Sequence, residues 1–197
     1  MKKVTVFFAH PNTENSHANK IIKNVLVNNN IEVRDLIKLY PDYKINIKEE
    51  QKKLIETDII IFQFPFYWYS FPAILKKWID DVFTFNFAIG PEGNKLKDKI
   101  CLFSTTIGGA EESYKNTGYN NYTIEEFFAP LEQLASLTQM KYASPIYEFH
   151  MSYIPDVHNS LVTVGKKAKK QANRILEFIE ECNLGDYKPE KILTKES

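Results

Sequence analysis

The segment Asp58 to Phe64 (DIIIFQF) constrains the fold most, because its apolar residues fall on both parities of a short extended run that stops at Pro65. A strand apolar on both faces must be covered on both sides, the situation of parallel sheets flanked by helices. The rest of the chain supplies partners in alternation. Lys3 to Ala9 (KVTVFFA) is a β-rich run, Ser16 to Asn30 carries Ala18, Ile21, Ile22, Val25 and Leu26 at helical spacing, and Ile31 to Leu36 is a second short strand. Lys48 to Glu56 is a short polar helix. After DIIIFQF, Pro72 to Phe83 is a helix with Ile74, Leu75, Trp78, Ile79 and Val82 on one face, and Lys99 to Thr105 (KICLFST) is strand four. Between them, Phe85 to Lys97 is a Gly/Pro-punctuated hairpin or irregular lobe. Thr123 to Leu137 is helical, with a kink or break expected at Pro130. Met140 to Ile146 is a weaker fifth strand and Asn159 to Cys182 a final amphipathic helix. Five such alternations in 197 residues predict one domain over residues 1–185, with strand order 2-1-3-4-5, helices on both faces and a polar tail over 186–197.

In such sheets ligands bind beyond the carboxyl ends of the strands, where the chain order switches. The loops after strands one, three and four therefore converge on one expected site. Equal numbers of basic and acidic residues, 25 each, argue against a phosphate-backbone partner, so no nucleic acid is expected. No stretch reaches the roughly 20 apolar residues of a membrane span, so no membrane insertion is expected and the cytoplasm is the default location. Cys101 and Cys182 read as packing residues, and His150 and His158 with Glu148 match no helix-face ligand spacing, so no metal is expected. The glycine-rich dinucleotide fingerprint, the phosphate-binding loop with Lys and the Gly-x-Ser-x-Gly elbow are all missing.

The first loop, His10 to His17 (HPNTENSH), leads into a helix N-terminus, where unpaired N–H groups and a partial positive charge can hold a phosphate. Plain N-capping by Asn15 or Ser16 explains the same residues. The second loop, Pro65 to Pro72 (PFYWYSFP), sets four consecutive aromatics, Phe66 to Tyr69, between prolines that stiffen the backbone. Such an aromatic wall suits the edge of an isoalloxazine ring, and equally a hydrophobic dimer contact; the two are compatible. The third loop, Ser104 to Tyr114 (STTIGGAEESY), pairs Gly108 with Gly109, letting backbone approach a planar ligand, with Thr105 and Thr106 as donors.

At these loops the chain resembles the NAD(P)H:quinone oxidoreductase family, flavodoxin-like enzymes that include DT-diaphorase and the flavoproteins ancillary to bacterial glutathione-gated potassium efflux. The resemblance covers roughly residues 3 to 180. It is carried by AHPNTENS, by the long FPFYWYSFPAILKKWIDDVF, by GPEGNKLKDK, and by TTIGGAEESY followed by GYNNYT. It implies a flavodoxin-like fold in which His10, Ser16 and His17 face the flavin phosphate or ribityl chain. Pro65, Phe66, Tyr67 and Trp68 would line one edge of the ring, and Thr105, Thr106, Gly108 and Gly109 the pyrimidine side. Tyr114 falls where the family places a tyrosine that supports charge on the reduced flavin. Animal members add a histidine six residues later; here the position is Asn120, an amide that cannot take a proton, so the relay does not carry over whole.

The resemblance further implies ping-pong turnover, with NAD(P)H as substrate and a quinone-like acceptor sharing one pocket, in keeping with the lack of a separate dinucleotide motif. FMN is expected rather than FAD, since no clear element provides for a second phosphate and adenine. Two other readings are a regulatory flavoprotein docked on a potassium-efflux transporter and a flavodoxin-like electron carrier. Trp78 and its aliphatic neighbours beside an aromatic loop suggest a homodimer with the site at the subunit boundary.

Overall fold

The computed structural model describes residues 1–187, so all but the first two residues of the expected polar tail lie outside the described residues. The sheet has five parallel strands in the order β2-β1-β3-β4-β5: β1 Val4–Phe8, β2 Glu32–Asp35, β3 Ile59–Pro65, β4 Ile100–Thr106 and β5 Lys141–Glu148. Register aligns Val6 with Val33 on one side and with Ile61 on the other, and Ile61 with Leu102. The two parities of β3 enter two separate cores. Ile59 and Ile61 pack under helices α1 (His17–Asn28) and α6 (Leu161–Leu184), joined by Ile22, Leu26, Ala168, Ala172 and Ile175. Ile60, Phe62 and Phe64 pack on the opposite face, under α3 (Ile47–Glu56), α4 (Ala73–Val82) and α5 (Ile124–Leu137). At about 25 cal/mol per Å2 of apolar area, this double burial is the main force holding β3 at the centre.

Several boundaries move for local reasons. The second strand stops at Asp35, because the Asp35 carboxylate caps a short helix, α2 (Leu36–Leu39), by accepting from the Lys38 N–H. Pro130 neither breaks α5 nor splits it. Its ring is exposed, the capping box of Thr123 and Glu126 secures the first turn, and Phe128, Leu131 and Ala135 anchor the helix to the core, offsetting a proline cost of about 3 kcal/mol. The lobe before β4 is irregular and tucks Phe87, Ala88 and Leu96 into the core. It folds so tightly that a Cβ on Gly93 would sit 2.0 Å from the Ile89 carbonyl oxygen.

The apolar face of α4 is used within the chain. Trp78 is fully buried and its Nε1–H donates to the Glu50 carboxylate at 3.0 Å; Arg34 and the Tyr40 hydroxyl donate to the same buried carboxylate. The sequence-based argument for a dimer from excess apolar surface on this helix therefore does not hold. Exposed aromatics lie instead at Tyr67, Trp68, Tyr69, Phe85, Tyr119, Tyr122 and Tyr153.

Candidate functional site

The carboxyl ends of β1, β3 and β4 open on one cleft of about 440 Å3. Its floor and walls come from His10, Asn12 and Asn15 to Asn19 of the first loop and helix, Pro65 to Tyr67 of the second loop, Thr106 and Gly108 of the third, and Met151 to Tyr153. None of these residues is Lys, Arg, Asp or Glu.

In the first loop Asn12 Oδ1 accepts from the Asn15 N–H at 3.2 Å, closing the 3-10 turn Thr13–Asn15, and Ser16 Oγ accepts from the Asn19 N–H at 3.2 Å as the cap of α1. The capping reading is thus realised, yet it leaves the N–H groups of His17 and Ala18 without an intrahelical acceptor, and both residues line the cleft. An anion there would meet N–H dipoles and hydroxyls in place of cations. His17 is tethered away from full freedom: its Nε2 donates to the Leu161 carbonyl at 3.0 Å.

His10 is nearly buried; its Nδ1 accepts from the Asn12 N–H at 3.0 Å and its Nε2 lies 3.4 Å from the Tyr67 hydroxyl. Burial pulls its pKa down to about 4, against smaller opposing effects of the Asn12 hydrogen bond and the Asp35 charge, so the ring is neutral at pH 7. Burial likewise raises the Tyr67 phenol above its ordinary value.

Beneath the cleft, Asn19 ties three elements together. Its Nδ2 donates to Ser16 Oγ at 3.2 Å and to Thr106 Oγ1 at 3.0 Å, while its Oδ1 accepts from Gln63 Nε2 at 3.0 Å. This buried polar string fixes the first turn of α1 against the ends of β3 and β4. Sequence reasoning missed both Asn19 and Gln63; a lone Gln inside DIIIFQF was the one available signal.

The second loop begins with the Phe66 N–H donating to the Thr106 carbonyl at 2.9 Å, which carries β3 to β4 pairing one step past the strand. The Phe66 ring joins Tyr69, Tyr114 and Phe127, with centroids 6.4, 6.1 and 5.7 Å away. Trp68 and Tyr69 then turn the chain with φ of 49° and 64°, bracketed by reciprocal N–H to carbonyl bonds between Tyr67 and Ser70 at 2.9 and 3.0 Å. Two positive φ values at the centre of a two-residue turn fit a type I′ geometry that normally takes Asn-Gly. Tyr69 is held by stacking on Phe127 at 5.1 Å and by donating to Asn120 Oδ1 at 3.2 Å; Trp68 is 94% exposed.

Eight of the twelve sequence-predicted residues, His10, Ser16, His17, Pro65, Phe66, Tyr67, Thr106 and Gly108, line the cleft. Thr105 does not: it is fully buried and its Oγ1 donates to the Phe64 carbonyl at 2.8 Å, because its parity along β4 points to the α5 side. Trp68 projects to solvent. Gly109 is exposed and is not part of the lining; Tyr114 packs against it, its Cε2 only 3.2 Å from where a Cβ would stand. Tyr114 itself sits in the aromatic cluster, 5.4 Å from Phe149; burial raises its phenol pKa, with the nearby Tyr69 adding to the effect. Asn120, at the position where animal members have a histidine, accepts from Tyr69 instead.

The segment after β5 was also missed. The strand runs to Glu148, two residues past Ile146, and the next residues zip onto the third loop: His150 N–H to the Gly109 carbonyl at 2.9 Å, Met151 N–H to the Ile107 carbonyl at 2.8 Å, and Ser152 Oγ to the Gly108 carbonyl at 3.2 Å. Met151, Ser152 and Tyr153 thereby reach the cleft. Other candidate groups lie elsewhere. Both cysteines are buried, and burial raises both thiols, that of Cys182 to about 11, so thiolate is scarce at neutral pH. His150 and His158 stack at 6.0 Å, and among the described residues no group of three or more His, Cys, Asp or Glu is arranged to hold a metal.

No helix among the described residues is long and apolar enough to cross a membrane. Comparison with known proteins identifies the family. Residues 2–174 match the family described as having a flavodoxin-like fold. Over 92% of its length the chain is 39% identical to a Bacillus subtilis (strain 168) protein named as an NAD(P)H oxidoreductase, YdeQ, covering 88% of that protein. It is also 39% identical, over 73% of this chain and 79% of the other, to the glutathione-regulated potassium-efflux system ancillary protein KefG of Cronobacter sakazakii. Among solved structures, general stress protein 14 of Treponema denticola in complex with FMN superposes with a TM-score of 0.81 at 26% identity, covering 90% of this chain and 98% of that one. The chain belongs to the flavodoxin-like family, alongside relatives named as NAD(P)H oxidoreductases and potassium-efflux ancillary proteins.

Proposed function

We propose that this protein is an FMN-dependent NAD(P)H oxidoreductase that passes hydride by a ping-pong mechanism to quinone-like acceptors, acting as a homodimer. The observation that carries the proposal is the pairing, in one cleft at the switch between β1 and β3, of an uncharged helix N-terminus with an aromatic wall. The first suits a phosphate that needs no cationic side chain and the second a flat ring. The FMN complex of the Treponema relative and the oxidoreductase name of the Bacillus relative support the same reading.

The residues fit FMN as follows. The N–H groups of His17 and Ala18, with Asn12, Asn15 and Ser16, would hold the phosphate. Pro65, Phe66 and Tyr67 form the wall beside the ring, and Thr106 and Gly108 its other edge. Tyr67 and Tyr153 line the cleft and would offer surfaces on which nicotinamide and quinone bind in turn. Bound FMN supplies the hydride-accepting ring. Tyr114, packed against Gly109, would support negative charge on the reduced ring. The single helix N-terminus provides for one phosphate, which favours FMN over FAD. The exposed Tyr69, Tyr119 and Tyr122 supply the apolar rim of a dimer contact.

Steady-state NADPH and NADH oxidation by the purified protein with a soluble quinone tests this. Turnover in the absence of membranes, with parallel lines when NADPH and quinone are varied together, is expected. The likeness to KefG favours a second reading, a regulatory subunit bound to a transporter, which predicts negligible turnover and capture on efflux-transporter membranes.

A further inference from the structure

The polar contacts of His10 fix where its proton sits. The Asn12 backbone can only donate, and it donates to His10 Nδ1 at 3.0 Å, so Nδ1 carries no proton. A neutral imidazole then has its proton on Nε2, the nitrogen 3.4 Å from the Tyr67 hydroxyl, with the two rings in edge-to-face contact at 5.9 Å. Protonating both nitrogens would break the Asn12 bond inside a pocket where His10 is 6% exposed. Burial, which holds the pKa near 4, keeps the neutral form throughout the physiological range. Because Nε2 donates, the Tyr67 oxygen accepts, and the phenol proton turns away from His10. Tyr67 is 42% exposed and lines the cleft together with His10.

Resting on the FMN reading above, we propose that His10 is a positioning residue that makes Tyr67 an obligatory hydrogen-bond donor to an acceptor atom of bound FMN. The chain has one direction, from the Asn12 amide through His10 to Tyr67 and the ligand, because its first member cannot reverse. Tyr67 thus selects an oxygen or an unprotonated nitrogen at that point of the ligand and rejects an N–H. Swapping the His10 tautomer would turn Tyr67 into an acceptor.

The test has two readouts. Nitrogen-15 NMR of the flavin-free protein at pH 7 reports the tautomer: a protonated Nε2 is expected, and a protonated Nδ1 or an imidazolium overturns the proposal. FMN dissociation constants are then measured for the wild type, Tyr67→Phe, His10→Leu, the double variant and His10→Gln. Tyr67→Phe and His10→Leu should each weaken binding about five- to tenfold, the worth of one neutral hydrogen bond, and the double variant should be no weaker than either. His10→Gln, whose amide nitrogen can stand in for Nε2–H, should recover most of the loss. Additive losses, or His10→Gln binding as poorly as His10→Leu, overturn the assignment while leaving the FMN reading intact. A wild type that takes up no FMN overturns the FMN reading, and the Tyr67 assignment falls with it even if the tautomer is as expected.

Discussion

Replacing Trp68 with Asn should make the protein more stable and leave its activity nearly unchanged. Trp68 holds φ of 49° in the Tyr67–Ser70 turn, a left-handed conformation that costs an ordinary L-residue about 1–2 kcal/mol and that Asn adopts far more readily. A buried Trp would forfeit several kcal/mol on truncation, but this side chain is 94% exposed, so almost no burial is lost. The strain relieved is therefore the larger effect, and a net gain of about 1 kcal/mol follows. For a chain of this size that corresponds to a rise in Tm of about 2–4 °C. Little effect is expected on function, since the indole projects to solvent and is not part of the cleft lining; KM for the quinone and kcat should both stay near their wild-type values. Thermal unfolding followed by circular dichroism, on flavin-free protein at low micromolar concentration, gives the first number and steady-state kinetics the second. A fall in Tm would refute the reasoning, because it would mean that the indole is covered in solution and not free.

Tyr114→Phe should slow flavin reduction by NADPH about tenfold or less in stopped flow, with FMN occupancy unchanged, because a preorganised donor to developing charge is worth about 2–4 kcal/mol and a half-buried phenol less; an unchanged rate would leave Tyr114 as a packing residue. Asn19→Ala should destabilise by about 2–4 kcal/mol in urea unfolding, since it strands Gln63 Nε2 and the Thr106 hydroxyl in the interior, and a loss under about 1 kcal/mol would show that the polar string contributes little. Because the folded His10 has a pKa near 4 and the unfolded residue titrates near 6.5, the unfolded state binds the extra proton between these values. Stability should accordingly fall as pH drops from about 6.5 to 4, and His10→Leu should flatten that part of the profile.

Most of the layout was legible because burial on two faces leaves an unmistakable mark. DIIIFQF supplied one parity to each core, and once it was central the alternation of elements left the first, third and fourth loops at one edge. What escaped depended on contacts distant in sequence or on conformations that composition hides. Asn19, Gln63 and Thr106 meet only after folding, across separations that no local pattern encodes. Met151 to Tyr153 were lost because β5 reads as ending at Ile146, whereas pairing with β4 carries it to Glu148 and the following residues bond to the third loop, contacts that no local pattern announces. The Trp68-Tyr69 turn has none of the Gly, Asn or Asp that announce positive φ; the rings around Tyr69 impose it. Thr105 shows the limit of reading a loop as a string, since one step of strand parity separates it from the cleft-lining Thr106.

Whether the cleft holds FMN is read by heating the purified protein, after exposure to both FMN and FAD and removal of the excess, and identifying the released cofactor by chromatography. One FMN per chain, with no FAD, is the expected result. A protein that releases no flavin, or that releases FAD in preference, contradicts the account.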